Sequence, residues 1–156
     1  MQTEGAEGIR GFEISGISAE DAEHLRRSAE HLGPVVPAVL DALYDHLLSL
    51  PETRGFFETQ DIQHRKQSLV SWITRTIEGS HNGQYWDYLV RVGKVHRDYG
   101  VLSYQIVHLI GWVQGTITSA LLVSNRPEKE AEAGAWTKVL TVQLDPMLLT
   151  YQEPVS

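Results

Sequence analysis

Hydrophobic residues along this chain recur mainly at intervals of three and four positions, a spacing that places them on one face of an α-helix. Strict alternation of apolar and polar residues, the pattern of a half-buried strand, is sparse, and no Asn-Gly pair joins two alternating runs. The pattern therefore predicts an all-α protein. The expected helix starts are Ser18, a point near Pro37, Asp61, the end of the 80–83 loop, Ser103 and a point near Glu128.

Capping residues and helix breakers set the expected boundaries of these helices. The side-chain oxygens of Ser18, Asp61 and Ser103 are suited to cap the free amides of a first helical turn. Pro146 falls inside the last helix, and it is expected to kink or divide that helix because proline has no amide hydrogen. The expected helix ends are Gly33-Pro34, Pro51, Gly79, Gly100 and Asn125-Arg126-Pro127.

Length and composition indicate one globular domain, expected over residues 18–152, between an N-terminal extension at 1–17 and a tail at 153–156. Twenty acidic and thirteen basic residues leave a net charge of -7, which opposes nucleic-acid binding. The absence of cysteine excludes disulfides, thiolate nucleophiles and thiolate-held metals. No apolar run approaches the roughly 18 residues of a membrane helix, and the acidic N-terminus is unlike a signal peptide, so a cytoplasmic location is expected.

His96 is one of seven histidines, and helical spacing places it on a buried stripe. It follows Val92 by one turn and Leu89 by nearly two and precedes Tyr99 by about one turn, so its imidazole is predicted to face inward on a stripe with these residues. A buried imidazole needs partners for both ring nitrogens. For a lone residue of this kind, a core histidine bonded to a backbone carbonyl is the ordinary interpretation.

Tyr44 is a second inward polar residue, on the helix that also carries Leu40 and Leu47. Its hydroxyl is predicted to point into apolar surroundings, where it needs a partner. Phe56 and Phe57 lie in the turn that follows, and no polar residue is obviously available to satisfy either Tyr44 or His96. These features predict a non-protein group between the two helices. Haem fits, since its metal takes the histidine nitrogen while the tyrosine donates to a ligand bound opposite.

Two segments resemble the globin domains of the protoglobin and globin-coupled-sensor family. Residues 43–57 (LYDHLLSLPETRGFF) are similar to that family's B-helix and CD corner, with a Tyr, a Pro-Glu-Thr and a Phe-Phe pair. Residues 92–101 (VGKVHRDYGV) are similar to its F-helix, with a Gly before and a Gly after the haem-ligating His. Lys66-Gln67, Gly79 and Tyr104 also match, and the resemblance extends over roughly residues 18–152.

The resemblance implies a globin fold, a three-over-three helical sandwich, that encloses haem b with His96 as the proximal iron ligand. It also implies that Tyr44 donates a hydrogen bond to bound dioxygen; carbon monoxide and nitric oxide are further expected ligands. Leu69 is expected to be the apolar distal residue, with Ser68 in its place if the helical phase shifts by one. The other expected haem contacts are Phe56, Phe57, Ile73, Val92 and Tyr104.

Partners and flanking charges follow from the same resemblance. A homodimer is expected through the last two long helices, where Gly111-x-x-x-Gly115 allows another helix to approach closely. The chain is expected to be a single-domain sensor or the sensing module of a longer protein with a signalling domain. The cations that either approach haem propionates or lie on a solvated face are His64, Arg65, Lys94 and Arg97.

The expected function is oxygen sensing rather than catalysis, and three alternatives remain. A haem enzyme, either a nitric oxide dioxygenase or peroxidase-like, uses the same cofactor, but no acid/base pair tuned for peroxide cleavage is evident. A haem-free globin-like interaction module keeps the fold without the cofactor. A carboxylate di-iron bundle is suggested by Asp61-x-x-His64 and Glu78-x-x-His81, but the second pair crosses Gly79 and does not share a helical face.

Overall fold

The computed structural model describes residues 13–78 and 81–152, and this part of the chain is helical with no strand. Residues 1–12 of the predicted extension, the 153–156 tail and the predicted helix stop at Gly79 lie outside the described residues. Seven α-helices are described: α1 (Ala19–Leu32), α2 (Val36–Ser49), α3 (Pro51–Arg54), α4 (Ile62–Glu78), α5 (Gly83–Asp98), α6 (Ser103–Leu122) and α7 (Lys129–Leu148). Two 3-10 turns complete them, Gly55–Phe57 and Leu149–Gln152.

Two of the predicted caps are confirmed. The Ser18 hydroxyl accepts the amide of Asp21 at 3.2 Å, and the Asp21 carboxylate accepts the Ser18 amide at 3.0 Å, which forms a capping box at the start of α1. The Asp61 carboxylate accepts the Gln63 amide at 3.0 Å at the start of α4. Local sequence therefore determines both helix starts, because each cap needs only residues within three positions.

The predicted cap at Ser103 is wrong by one position, because Ser103 is already the first residue of α6. The N-cap is Leu102, whose amide donates to the side chain of Gln105 at 2.9 Å. The 80–83 loop is also shorter than predicted: Asn82 accepts the Tyr85 amide at 3.1 Å, so α5 begins at Gly83. In both places another polar side chain satisfies the free amides of the first turn.

Pro146 does not divide the last helix. The helix α7 continues through it to Leu148, and then tightens into the 3-10 turn in which Leu149 donates its amide to the Pro146 carbonyl. Pro146 is fully buried and Met147 nearly so. Packing therefore keeps the helix intact at a position where the missing amide alone favours a break.

The helix α7 occupies the centre of the molecule, since it packs against α6, α1 and α5. Its Trp136, Val139 and Leu140 are fully buried. By contrast, α4 packs mainly against α1 and α2, while α5 packs against α7 and the final 3-10 turn. The two helices that carry most of the predicted site are thus held by different partners. Within the described residues, no helix has both the length and the apolar character needed to span a bilayer.

A buried polar network joins α4, α5 and α7 near the connection between α4 and α5. The side chain of Gln143 accepts the Trp72 indole N–H at 2.9 Å and donates to the hydroxyls of Thr76 at 3.1 Å and Tyr85 at 2.6 Å. Thr76 donates to the Trp72 carbonyl at 3.0 Å, so the Tyr85 hydroxyl donates to Thr76 at 3.2 Å. Hydrogen bonds within the fold therefore satisfy the polar atoms that face one another at this end.

Candidate functional site

The structure gives His96 one partner, the carbonyl oxygen of Val92, which lies 2.7 Å from Nδ1. A carbonyl oxygen only accepts hydrogen bonds, so in the neutral ring Nδ1 carries the hydrogen and Nε2 presents a lone pair. No hydrogen bond to Nε2 is formed within residues 13–78 and 81–152. A metal-ligating histidine commonly donates its other ring N–H to such a carbonyl, which orients the ring. The Nε2 atom of His96 is therefore available to a ligand.

The surface of α5 beside His96 is apolar and uncovered. Val95 is 47% exposed and Tyr99 is 57% exposed, while Val92 is half-buried. The packed face of the same helix carries Leu89, which is fully buried. His96 therefore lies between a face used for packing and an apolar strip that no described helix covers, a combination typical of a ligand-binding surface.

The predicted distal residues lie on α4. Ile73 is buried, and Leu69 is half-buried and packs against the core. Ser68, the alternative to Leu69, is exposed, and its hydroxyl donates to the carbonyl of His64 at 3.2 Å. This geometry favours Leu69 as the inward residue. Val70, which the sequence interpretation did not include among the site residues, is 44% exposed on the same helix.

Tyr44 on α2 is only 6% exposed, and its hydroxyl has no hydrogen-bond partner in the described part of the chain. Burial raises the pKa of this phenol, and the guanidinium of Arg65 opposes that effect. The ring meets Phe57 edge to face, with centroids 5.4 Å apart and the planes at 74°. Phe56 and Phe57 are both half-buried in the 3-10 turn. A hydrogen-bond donor thus lies unused in aromatic surroundings.

Tyr104, another predicted haem contact, has a different environment from Tyr44. It is 51% exposed, and its hydroxyl donates to the carboxylate of Glu52. Gln105 donates to the same carboxylate at 2.7 Å, so these contacts join the start of α6 to α3. The polar end of Tyr104 is therefore engaged elsewhere, and any cofactor contact that it makes comes from its ring.

The basic residues near the site differ in burial. Arg65 is half-buried, whereas His64 and Lys94 are exposed. Arg97 is half-buried and lies near Tyr151, where its charge opposes the rise in the phenol's pKa that burial causes. The charge of Arg65 also opposes the rise in the pKa of Tyr44, so Arg65 is a basic residue that lies near the Tyr44 hydroxyl.

The di-iron alternative finds no support in this arrangement. The Asp61 carboxylate accepts amides at the start of α4, and His64 is exposed. Within the described ranges, no group of three or more His, Cys, Asp and Glu side chains is placed to hold a metal ion. A metal held by His96 and a separate macrocycle fits the apolar surroundings better than a carboxylate cluster does.

These helices and their arrangement define a globin domain. The protoglobin family model matches residues 12–155, so the chain belongs to the protoglobin family. A similar solved structure is the globin domain of the Geobacter sulfurreducens globin-coupled sensor, with a TM-score of 0.82 and 26% sequence identity. The match covers 95% of this chain and 97% of that one. No curated protein matches the chain in sequence. The predicted family and globin fold are confirmed.

The predicted site residues remain predictions, but the structure shows how they are distributed. The predicted residues are distributed over three helices: Tyr44 lies on α2, Leu69 and Ile73 lie on α4, and Val92 and His96 lie on α5. The Tyr104 hydroxyl donates to Glu52. The sequence interpretation missed Val95, although its signal was available, because Val95 lies one turn after Val92 and one before Tyr99. The prediction that Tyr99 shares the buried stripe of His96 is wrong, since Tyr99 is 57% exposed.

Proposed function

We propose that this domain binds haem b and, through it, dioxygen and other diatomic gases, as the sensing globin of a globin-coupled sensor or of a single-domain sensor. One observation carries the proposal: the Nε2 lone pair of His96 and the Tyr44 hydroxyl are both left without protein partners. Polar groups in apolar surroundings are ordinarily hydrogen-bonded, so an unused donor on buried Tyr44 and an unused lone pair on half-buried His96 support a ligand that contacts both.

The residues present fit a haem. The uncovered strip formed by Val92, Val95 and Tyr99 offers an apolar surface next to the imidazole. Leu69 and Ile73 supply apolar side chains from α4. When bound, haem supplies an iron that accepts an imidazole on one face and a diatomic gas on the other. His96 holds the first position, and its Val92 hydrogen bond fixes the orientation of the ring.

Tyr44 gives the site its preference among gases. A hydroxyl held in apolar surroundings stabilises a partially negative ligand by about 1 to 3 kcal/mol. Dioxygen gains such charge on binding and carbon monoxide gains little, so Tyr44 favours dioxygen. Leu69 and Phe57 exclude competing water, which strengthens the same hydrogen bond. These residues thus support reversible gas binding and sensing. As a separate part of the proposal, we assign the domain to the cytoplasm.

Two copies are proposed to associate through α6 and α7. On these helices the Cα hydrogens of Gly111, Gly115 and Gly134 face open space, since a side chain added there meets no atom within 4 Å. The side chain of Gln114 donates to the Thr137 carbonyl at 2.9 Å and so ties the two helices together. A second copy can approach this smooth face closely. A signalling domain following the C-terminus is part of the same proposal.

Visible absorption spectra of the haem-reconstituted protein, with and without dithionite, dioxygen and carbon monoxide, test the proposal. We expect a Soret band that shifts with each gas. His96→Ala is expected to lose the wild-type spectrum and to regain it when free imidazole is added, because imidazole restores the missing ligand. The control is His46→Ala, which removes an exposed imidazole stacked on Trp112 and leaves the spectrum unchanged. A wild-type protein that shows no Soret band after haem addition contradicts the proposal.

A further inference from the structure

Residues 146–152 contact α5 and its C-terminal end at two places, one before and one after His96 in the sequence. At the first place, Gly93 lies three residues before His96 and touches the backbone of Met147. A Cβ added at Gly93 falls 1.8 Å from the Met147 carbonyl oxygen and 2.6 Å from its carbonyl carbon. Only glycine permits this approach, so α5 and α7 meet there backbone to backbone.

On the other side of His96, the end of α5 forms a Schellman motif. Gly100 adopts a left-handed conformation with φ of +86° and donates its amide to Arg97 at 2.9 Å. The Val101 amide donates to the carbonyl of His96 at 3.0 Å. The hydroxyl of Tyr151 then donates to the Val101 carbonyl. Two hydrogen bonds and one residue therefore connect Tyr151 to the backbone of the predicted iron ligand.

The segment that makes both contacts, residues 146–152, is itself firmly packed. Pro146 is fully buried, and Met147 and Thr150 are almost so. The Leu149–Gln152 turn packs against α5. On α5, Val95 lies two residues after Gly93, which is about 200° around the helix. The α7 contact at Gly93 and the exposed side chain of Val95 are thus on nearly opposite sides of the helix that carries His96.

We propose that residues 146–152 act as a clasp that positions His96, with Gly93 and Tyr151 as its positioning residues, so that gas binding and the C-terminal turn are coupled. This inference rests on the proposed function. Met147 blocks movement of α5 toward α7, and Tyr151 restrains its C-terminal end. If gas binding displaces His96 away from α7, the Tyr151 hydrogen bond would resist that displacement, so releasing it would favour the gas-bound state.

Tyr151→Phe tests the clasp, because it removes the hydrogen bond and keeps the aromatic ring. In the haem-free protein, amide hydrogen exchange at Val101 is expected to accelerate about fivefold, since the loss of one hydrogen bond loosens the end of α5. In the ferrous, gas-free protein, the iron–histidine stretching band in the resonance Raman spectrum is expected to shift. Dissociation of dioxygen is expected to slow by about threefold to tenfold.

Tyr88→Phe is the matched control. Tyr88 is on the same helix and half-buried, with the Arg75 guanidinium 4.2 Å from its ring centroid. Loss of the Tyr88 hydroxyl is expected to change neither the amide exchange of Val101 nor the iron–histidine Raman band. A second variant, Gly93→Ala, pushes α5 away from Met147 and is expected to shift the same band; if it does not fold, Tyr151→Phe still decides the question.

The outcomes separate the two proposals. A wild-type protein without a Soret band overturns the proposed function and the clasp with it. A normal Soret band with Val101 exchange that Tyr151→Phe leaves at the wild-type rate overturns the clasp alone. Faster exchange with an unchanged Raman band and unchanged dioxygen dissociation also overturns it, because the contact is then structural only. Movement of all three readouts in Tyr151→Phe, and of none in Tyr88→Phe, supports the clasp.

Discussion

Two buried tyrosines mark two regions of this globin that differ in whether a buried hydroxyl has a hydrogen-bond partner. Tyr85 is 5% exposed and Tyr44 is 6% exposed, so burial does not distinguish them. The Tyr85 hydroxyl accepts from Gln143 at 2.6 Å and contacts Thr76 at 3.2 Å, whereas the Tyr44 hydroxyl has no partner in the described part of the chain. The fold therefore uses the Tyr85 hydroxyl, whereas the Tyr44 hydroxyl is left able to donate to a ligand.

The same difference extends along α4 and α5. At the connection between these helices, the Trp72 indole, Thr76 and Tyr85 all bond to Gln143 or to one another. About three turns further along α5, or roughly 16 Å, His96 lies beside the uncovered region. The network region is complete without a ligand. In the region around His96, by contrast, the described residues give Nε2 no hydrogen-bond partner.

Gln143→Ala is the strongest way to break the first region. It removes the centre of the network, leaves the Trp72 indole and the Tyr85 hydroxyl short of partners, and opens a cavity. We expect the free energy of unfolding to fall by about 3 to 5 kcal/mol, measured by urea denaturation of the haem-free protein. Gln114→Ala, which removes hydrogen bonds from the surface of α6 and α7, is the control and is expected to cost less than about 1 kcal/mol.

A loss of less than about 1 kcal/mol in Gln143→Ala would show that the network does not hold the three helices together. Where the variant folds and binds haem, dissociation of dioxygen is expected to stay within about twofold of the wild-type rate, because the network does not reach the gas. The test thereby separates stability from ligand binding.

Tyr44→Phe and Tyr85→Phe compare the two regions directly by the same chemical change. Tyr44→Phe is expected to speed dioxygen dissociation by about tenfold to hundredfold, equivalent to roughly 1 to 3 kcal/mol, and to change carbon monoxide dissociation by less than about threefold. Its unfolding free energy is expected to stay within about 0.5 kcal/mol of the wild type, since no protein hydrogen bond is lost. Stopped-flow ligand replacement and urea denaturation provide the two measurements.

Tyr85→Phe is expected to give the reverse result, a stability loss of about 1 to 2 kcal/mol with an unchanged dioxygen rate. The comparison collapses if both variants change the dioxygen rate equally, or if dioxygen and carbon monoxide respond equally to Tyr44→Phe. Either outcome would assign Tyr44 a packing role rather than a role as a donor to the ligand.

Local signals predicted most of the fold from sequence. The caps at Ser18 and Asp61 and the glycine stop at Gly100 involve neighbours within a few positions, and all three are confirmed. The contacts of Gly93 with Met147 and of Tyr151 with Val101 were not predicted, since they join residues about 50 positions apart. Their partners depend on how the helices pack, which the periodicity of a single helix does not contain.

The candidate site followed a similar rule. The burial of Tyr44 could be predicted from its own helix, because it needs only apolar neighbours at helical spacing. The same spacing predicted a buried His96, which the structure leaves half-buried. Tyr85 occupies an equally apolar stripe, and only the structure shows that Gln143, 58 positions away, satisfies its hydroxyl. The sequence therefore indicates which polar groups face inward, and the fold determines which of them are left without a hydrogen-bond partner.

The pH dependence of stability gives a smaller contrast. Burial raises the pKa of both Tyr85 and Tyr44, and Arg65 opposes the effect only at Tyr44. When folding raises the pKa of a tyrosine, the resulting stability is fully present below the unfolded tyrosine pKa of about 10. This stability is lost as the pH rises above that value, because the unfolded chain releases its proton first. The wild type is expected to lose up to about 1.4 kcal/mol more per pH unit than Tyr85→Phe.

Urea denaturation of the haem-free protein between about pH 9 and pH 11 measures these slopes. Tyr44→Phe is expected to flatten the slope less than Tyr85→Phe does, because the Arg65 guanidinium favours the ionised form of Tyr44. Equal slopes for the wild type and Tyr85→Phe would mean that the Tyr85 phenol is no harder to ionise in the folded protein than in the unfolded one.

Ser68→Ala and Leu69→Ala make the finest comparison, between neighbours on α4 that face different ways. The Ser68 hydroxyl donates to the His64 carbonyl of its own helix, so its removal is expected to change dioxygen dissociation by less than about twofold. Leu69 packs inward, and its truncation admits water that competes for the Tyr44 hydroxyl, which is expected to speed dissociation by about threefold. Stopped-flow ligand replacement measures both rates. A larger effect at Ser68 than at Leu69 would mean that α4 is rotated by one residue and that Ser68 faces the gas.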